Sequence, residues 1–498
     1  MIQTIVLVAA AAVLLITYRL FSFPRAVTKK SLRHIPELRF EKDDKEERYV
    51  SESRQLLAHG YDKYLRNGTP FQMRNTVGEL GPQVFLPMKY LDEVKNAPRS
   101  IFSFEVFSEK MFLLDYSNGP RQTDAAVHAT RVDLNRNLGS LATGIFNEAI
   151  LALDAKAIPK NWTTLPAYET LCSVVTQVNA FALVGPSLCR NPEWIQLSMQ
   201  AVITVIGTAM SIRATYSPRW RWLARWQSDA PKQVREIRAK ATALLEPIYK
   251  ERVDALKTKQ DASTFRDAVN WLVRLKGGDK PLDKIVDNQL FLSIASVHTS
   301  SAVLTSILFD LFTHAESHDE ILAEVREVLA ECDGQWSMQQ VAKMRKLDSF
   351  MKESFRLHPI GFITGQRIAV RSHTFKDGLH IPAGTVFQFP ADAVHHDQSI
   401  YPDPHKFDAH RFLRLRETVD QNRFHFASVS DTSLGFGAGA HACPGRFLVT
   451  LSIKFILVAL LTRYEVKLED GNGKSPTRVS HDFNLRPSPE AKLLIRRL

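Results

Sequence analysis

The chain has 498 residues, 45% hydrophobic and 23% charged, a globular composition with ample material for a large core. Lys and Arg number 64 against 53 Asp and Glu, a net charge of +11 with no long basic block; this suits an anionic membrane surface or an acidic protein partner, and argues against a nucleic-acid partner. Cys172, Cys189, Cys332 and Cys443 are spaced for neither a disulfide framework nor a zinc site, and so few cysteines suit a reducing compartment.

Ile2 to Thr17 is apolar except for Gln3, Thr4 and Thr17, close to the lower length limit for a membrane-spanning helix. Arg19, Arg25, Lys29, Lys30 and Arg33 follow it and no basic residue precedes it. Positive charge on the distal side places the amino terminus in a lumen and the rest in the cytosol. A cleaved signal peptide is the competing reading, and the missing basic n-region argues against it. The division expected is an anchor at 1–18, a basic linker at 19–36 and one catalytic domain at 37–498. The sequons at Asn67 and Asn161 then face the cytosol and carry no glycan.

Glu41 to Gly60 reads as a helix ending at a glycine. Val84-Phe85-Leu86 reads as a short strand, and Pro87 opens a helix through Lys95. Residues 100–120 are apolar but irregular, as in a loop over something buried. Residues 121–330 are mainly helical by periodicity, with Lys232–Lys259 the clearest stretch and Gly277-Gly278 a break. Residues 283–315 form a long apolar helix, which Asp287, Asn288, Gln289, His298 and Asp310 mark as a central buried helix rather than a second membrane span. Strands are expected from Arg367 onward, with a hairpin over His380–Phe387. A helix spans Phe447–Thr462, and a second hairpin turns at Pro487-Ser488-Pro489. The fold class is mainly α with a smaller β portion.

Phe436-Gly437-Ala438-Gly439-Ala440-His441-Ala442-Cys443-Pro444-Gly445 carries the chemistry. Glycines let backbone turn tightly around a sulfur and aim N–H groups at a thiolate. Phe436 can pack beside a flat macrocycle, and His441 offers a donor for an acidic edge group. The bland alternative is a core cysteine beside a Gly-rich turn. The string resembles the cysteine loop of the cytochrome P-450 family, Phe-x-x-Gly-x-Arg/His-x-Cys-x-Gly, at every fixed position. The resemblance implies the cytochrome P-450 fold with an N-terminal transmembrane helix, and haem b held by Cys443 as axial metal ligand. Phe436, Gly439, His441 and Gly445 would line the cofactor. A thiolate ligand of this kind favours O–O cleavage.

Three further segments fit the same family in order. Glu353-Ser354-Phe355-Arg356 alone would be an exposed helical ion pair. Followed by Phe407-Asp408-Ala409-His410-Arg411-Phe412, it matches a buried structural network of Glu353, Arg356 and Arg411. Ala295-Ser296-Val297-His298-Thr299-Ser300 matches the oxygen-side helix, with Thr299 as the proton-delivering hydroxyl. Ser296 replaces the usual glycine and His298 the usual acid. His298 is either a proton relay beside Thr299 or a neutral core histidine bonded across helices. Arg367 matches a position that pairs with haem propionates, as does His441. His128 and Arg131 are weaker candidates, because Val132 occupies the expected arginine slot and both read equally well as surface residues.

The segments over the haem supply mainly apolar residues, among them Phe102, Phe107, Phe112, Val205, Met210 and Phe483, so a lipophilic substrate is expected. The strings also resemble microsomal cytochromes of fungal secondary metabolism. That implies a terpenoid, indole-terpenoid or polyketide substrate, dioxygen as co-substrate and an endoplasmic reticulum membrane location. No dinucleotide Gly-x-Gly-x-x-Gly motif is present, so electrons are expected from NADPH through a separate cytochrome reductase, with cytochrome b5 as a further donor. Two rivals keep other outcomes open: a haem-thiolate isomerase or dehydratase without oxygen activation, motivated by His298, and a non-catalytic haem or lipid-binding scaffold.

Overall fold

A computed structural model describes residues 29–258, 265–275, 281–469 and 475–498. The expected anchor at 1–18, the linker up to 28, and Gly277-Gly278 lie outside the described residues.

Seven helices organise the core: α1 (Asn135–Asp154), α2 (Ala167–Val184), α3 (Pro192–Thr215), α4 (Ala230–Lys257), α5 (Leu282–Thr313), α6 (Arg345–Leu357) and α7 (Arg446–Arg463). α5 has 32 residues and so runs about 48 Å. It packs against α2, α3, α4 and α6, and α7 packs on α1. α5 is long and apolar enough to cross a membrane, yet most of it is buried in the protein, as its polar interruptions imply. α3 starts where Pro192 occupies the first turn and the Asn191 side chain accepts from the amides of Glu193 and Trp194.

The β portion lies to one side. β1 (Phe71–Met73), β2 (Gln83–Phe85), β3 (Phe102–Ser103), β5 (Thr364–Ala369) and β8 (Val386–Phe389) form a sheet in the order β1-β2-β8-β5-β3. Only β2 and β8 run parallel. β8 is buried at every residue, and its one polar side chain, Gln388, is satisfied by donating to the Gln83 side-chain oxygen at 2.7 Å. A second sheet joins β4 (Thr163–Pro166), β12 (Lys492–Arg497) and β9 (Tyr464–Leu468); β6 (His373–Thr374) pairs with β7 (His380–Ile381), and β10 (Arg478–His481) with β11 (Asn484–Pro487).

Four sequence expectations are corrected. Gly60 does not stop a helix; it lies inside Ser53–Lys63, where a Cβ would come within 2.5 Å of the Phe71 ring. Residues 100–120 are not a loop: Phe104–Met111 is helical, capped by the Ser103 hydroxyl, which accepts from the Val106 amide. The helix packs on the sheet through Phe107, and Phe112 just beyond it packs against Val205 and Val234, so its apolar residues do not form a single stripe. His380–Phe387 is not a hairpin, because Pro382 has no donor to continue β7 and the chain passes through Gly384 (φ 88°) into another sheet. Pro487-Ser488-Pro489 likewise connects two sheets, and the hairpin turns instead at Asp482-Phe483.

Candidate haem site

Cys443 sits three residues before α7, so the helix's positive end faces its sulfur. The loop is fixed by two backbone bonds: the Gly437 amide donates to the Leu434 carbonyl and the Cys443 amide to the Phe436 carbonyl, both at 2.8 Å. Gly437 and Gly439 have φ of 77° and 60°, the left-handed region where glycine costs least. At Gly439 a Cβ would also lie 2.8 Å from the Lys95 carbonyl oxygen. Burial pushes the Cys443 thiol pKa up, while the amides of Gly445 and Arg446 and the Arg446 charge pull it down. Phe436 packs with Phe355 and Phe426 at ring distances of 5.1 and 5.4 Å, so these rings brace the loop from behind.

On α5, Ala295 and Thr299 are exposed although the helix around them is buried, so a space opens inside the core at that point. The Thr299 hydroxyl donates to the Ala295 carbonyl at 2.7 Å. His298 faces elsewhere. Its Nδ1 accepts from the Tyr168 hydroxyl of α2 at 2.9 Å and its Nε2–H donates to the Met199 carbonyl of α3 at 2.7 Å. Burial lowers its pKa, consistent with a neutral ring. Both ring nitrogens are bonded to α2 and α3, an arrangement that matches the core-histidine alternative.

Arg367 on β5 is only 8% exposed. Its guanidinium donates to the Gln366 carbonyl at 2.7 Å and has no carboxylate within ion-pair distance among the described residues. Burial pushes its pKa down to about 10. Its charge acts on His441, whose Nε2 lies 3.2 Å from the Ala97 carbonyl. A buried cation without an anion among the described residues, a cysteine with two amides toward it and an exposed hydroxyl within a core helix are a set of groups that fits a haem. Arg131 lies in the π-helical turn Ala129–Leu134, exposed, with its charge acting on Arg446. His128 is exposed and 3.9 Å from Asp133.

Behind the loop, Glu353 is fully buried. Arg356 donates to both its oxygens at 2.8 Å, and Arg411 to both at 3.1 and 3.2 Å. Arg356 also donates to the carbonyls of His395 and Pro404, and Arg411 to that of Pro402. The sequence did not show how this network reaches the cysteine loop. His395 accepts from the Leu434 amide at 3.1 Å, and burial holds its pKa down to about 3. Lys352 lies buried beside it and donates to the His425 and Ser428 carbonyls and the Ser433 hydroxyl. Asp310 of α5 accepts from Ser354 and Arg478, 44 and 168 residues away. No local pattern marks any of these.

The family model for cytochrome P450 matches residues 146–495. Among similar curated proteins, cytochrome P450 monooxygenase ccsG of Aspergillus clavatus is 59% identical over 100% of this chain and 99% of its own. Pyrichalasin C-7 hydroxylase of Pyricularia grisea is 49% identical over 99% and 98% respectively. Cytochrome P450 monooxygenase cheE of Chaetomium globosum is 40% identical over 93% and 91%. The chain therefore belongs to the cytochrome P450 family. Its enzyme class is that of the monooxygenases of fungal secondary metabolism, whose haem iron is held by a cysteine thiolate.

Proposed function

We propose that this chain is a membrane-anchored monooxygenase that hydroxylates a lipophilic secondary metabolite, with Cys443 as the iron ligand. The observation that carries the assignment is Cys443 at the head of α7, with the Gly445 and Arg446 amides directed at its sulfur. The haem, when bound, supplies oxygen activation; the chain supplies binding, orientation and protons. Cys443 donates charge, while Phe436, Gly439 and Gly445 shape its loop. Arg367 and His441 would hold the propionates, Arg367 by its charge and His441 as a hydrogen-bond donor. Glu353, Arg356 and Arg411 lock the segment behind the loop so that haem can load. Thr299 holds and passes a proton at its Oγ, since a hydroxyl both donates and accepts. His298 brackets α5 to α2 and α3, which removes the motive for an isomerase reading.

Similarity to pyrichalasin C-7 hydroxylase supports carbon hydroxylation of a related lipophilic metabolite within the wider terpenoid, indole-terpenoid or polyketide range. Residues 1–18 anchor the chain once in the endoplasmic reticulum membrane, 19–36 link, and the domain from 37 faces the cytosol. There a separate NADPH–cytochrome reductase delivers electrons, with cytochrome b5 as a second donor. The test is turnover of the full chain with reductase, NADPH and isotopically heavy dioxygen. One heavy oxygen in the product is expected. Reductase-independent conversion without label would contradict the proposal.

A further inference from the structure

Asp310, near the far end of α5, is a buried carboxylate that gathers groups from distant segments. One oxygen accepts from the Ser354 hydroxyl of α6 at 2.6 Å. The other accepts from the Arg478 guanidinium of β10 at 2.7 Å, with the His358 Nε2 at 3.4 Å. Arg478 also donates to the Ser306 carbonyl, one turn earlier on α5. Burying a charge is costly, and such a network ordinarily does no more than tie elements together. Two of these partners, however, stand at the two roots of one short segment, Ile360–Ile363.

His358 and Pro359 lead from α6 into that segment. Arg478 roots the hairpin of β10 and β11, which holds it from the other side. The Leu485 amide donates to the Ile360 carbonyl and the Phe362 amide to the Phe483 carbonyl, both at 2.8 Å, and Asn484 bridges Gly361. The segment then runs into β5, where the Thr364 hydroxyl donates to the Leu434 carbonyl before the cysteine loop and Arg367 is the buried cation. Phe362 is fully buried, while Ile363, on the alternate side, is half-buried. Thr299 and Asp310 are 11 residues apart on α5, about three turns and ~16 Å, so they share one helix face. The face that opens at Thr299 is therefore the face that receives both roots. We propose that Asp310 is a positioning residue for substrate selection: through Arg478 and His358 it fixes where Ile363 stands beside the haem. This rests on the haem reading above.

The test uses the haem-loaded full chain in detergent and two probes that bind iron through nitrogen, imidazole and the larger 1-phenylimidazole, each followed by its Soret shift. Arg478→Gln and Asp310→Asn are each expected to raise the dissociation constant of 1-phenylimidazole relative to that of imidazole by about tenfold, because only the phenyl ring reaches the wall. Arg478→Lys keeps a positive charge beside Asp310 and is expected to keep the wild-type ratio. Glu148→Gln breaks the pair of another buried carboxylate, that of Glu148 on α1 with Arg190, and is expected to lower stability with the ratio unchanged. A ratio unchanged or lowered in Arg478→Gln, or raised equally in Glu148→Gln, would overturn the role of Asp310. A wild-type protein whose Soret band imidazole does not move would overturn the haem reading instead.

Discussion

Glu353→Ala removes the acceptor that holds two guanidiniums together. Glu353 receives two bonds from Arg356, two from Arg411 and one from the Asp408 amide, and it is fully buried. Without it, two positive groups remain side by side, out of water and with no anion between them. Loss of one partner from a buried pair costs about 3–5 kcal/mol, and the two arginines share one acceptor, so their bonds do not simply add. About 4 kcal/mol is a large part of the ~5–15 kcal/mol that holds a typical domain together. Glu353→Gln keeps the shape but turns an amide NH₂ toward a guanidinium, so its cost lies nearer to that of alanine than to wild type. Because Arg356 holds the His395 carbonyl and His395 holds the Leu434 amide, damage passes to the loop before Cys443. The assay is urea unfolding of the full chain in detergent, with haem bound per chain measured on the same samples. A Glu353→Ala protein with wild-type haem content and under about 1 kcal/mol of lost stability would refute the reasoning.

Thr299→Ala is expected to keep NADPH consumption while product falls by about a hundredfold and peroxide rises; an unchanged product-to-NADPH ratio would remove Thr299 from proton delivery. His298→Phe leaves the Tyr168 hydroxyl and Met199 carbonyl without their partner, so stability should fall by about 1–3 kcal/mol with the product-to-NADPH ratio intact. Uncoupling in that variant would instead restore His298 as a relay. The His395 pKa is about 3 in the folded chain and about 6.5 when unfolded, so between those values the unfolded state binds the extra proton. Stability should therefore fall as pH drops below about 6.5, by about 1.4 kcal/mol per unit from this one group until about pH 3. His395→Gln should remove that part of the slope in unfolding free energy measured against pH.

What was legible in the sequence is what the chain carries locally. The cysteine loop is continuous, so its glycines, Phe436 and His441 are readable as one string. Glu353 and Arg356 are three apart on one helix, while Arg411 needed only the order of motifs. His298 shows the limit. It adjoins Thr299 in sequence, but one residue turns a helix by about 100°, so it bonds to α2 and α3. His395, Lys352 and the Asp310–Arg478 pair become meaningful only when distant segments meet. The two misplaced hairpins failed for a related reason: prolines ended both ladders, and partners came from other sheets.

The most direct test of the central claim is the absorption spectrum of the reduced full-length protein with carbon monoxide, beside that of Cys443→Ser. The strongly red-shifted Soret band of a thiolate-ligated haem is expected in the wild type and should be lost in the variant. A wild-type band at the imidazole-ligated position, or a variant that keeps the red-shifted band, would contradict Cys443 as the ligand.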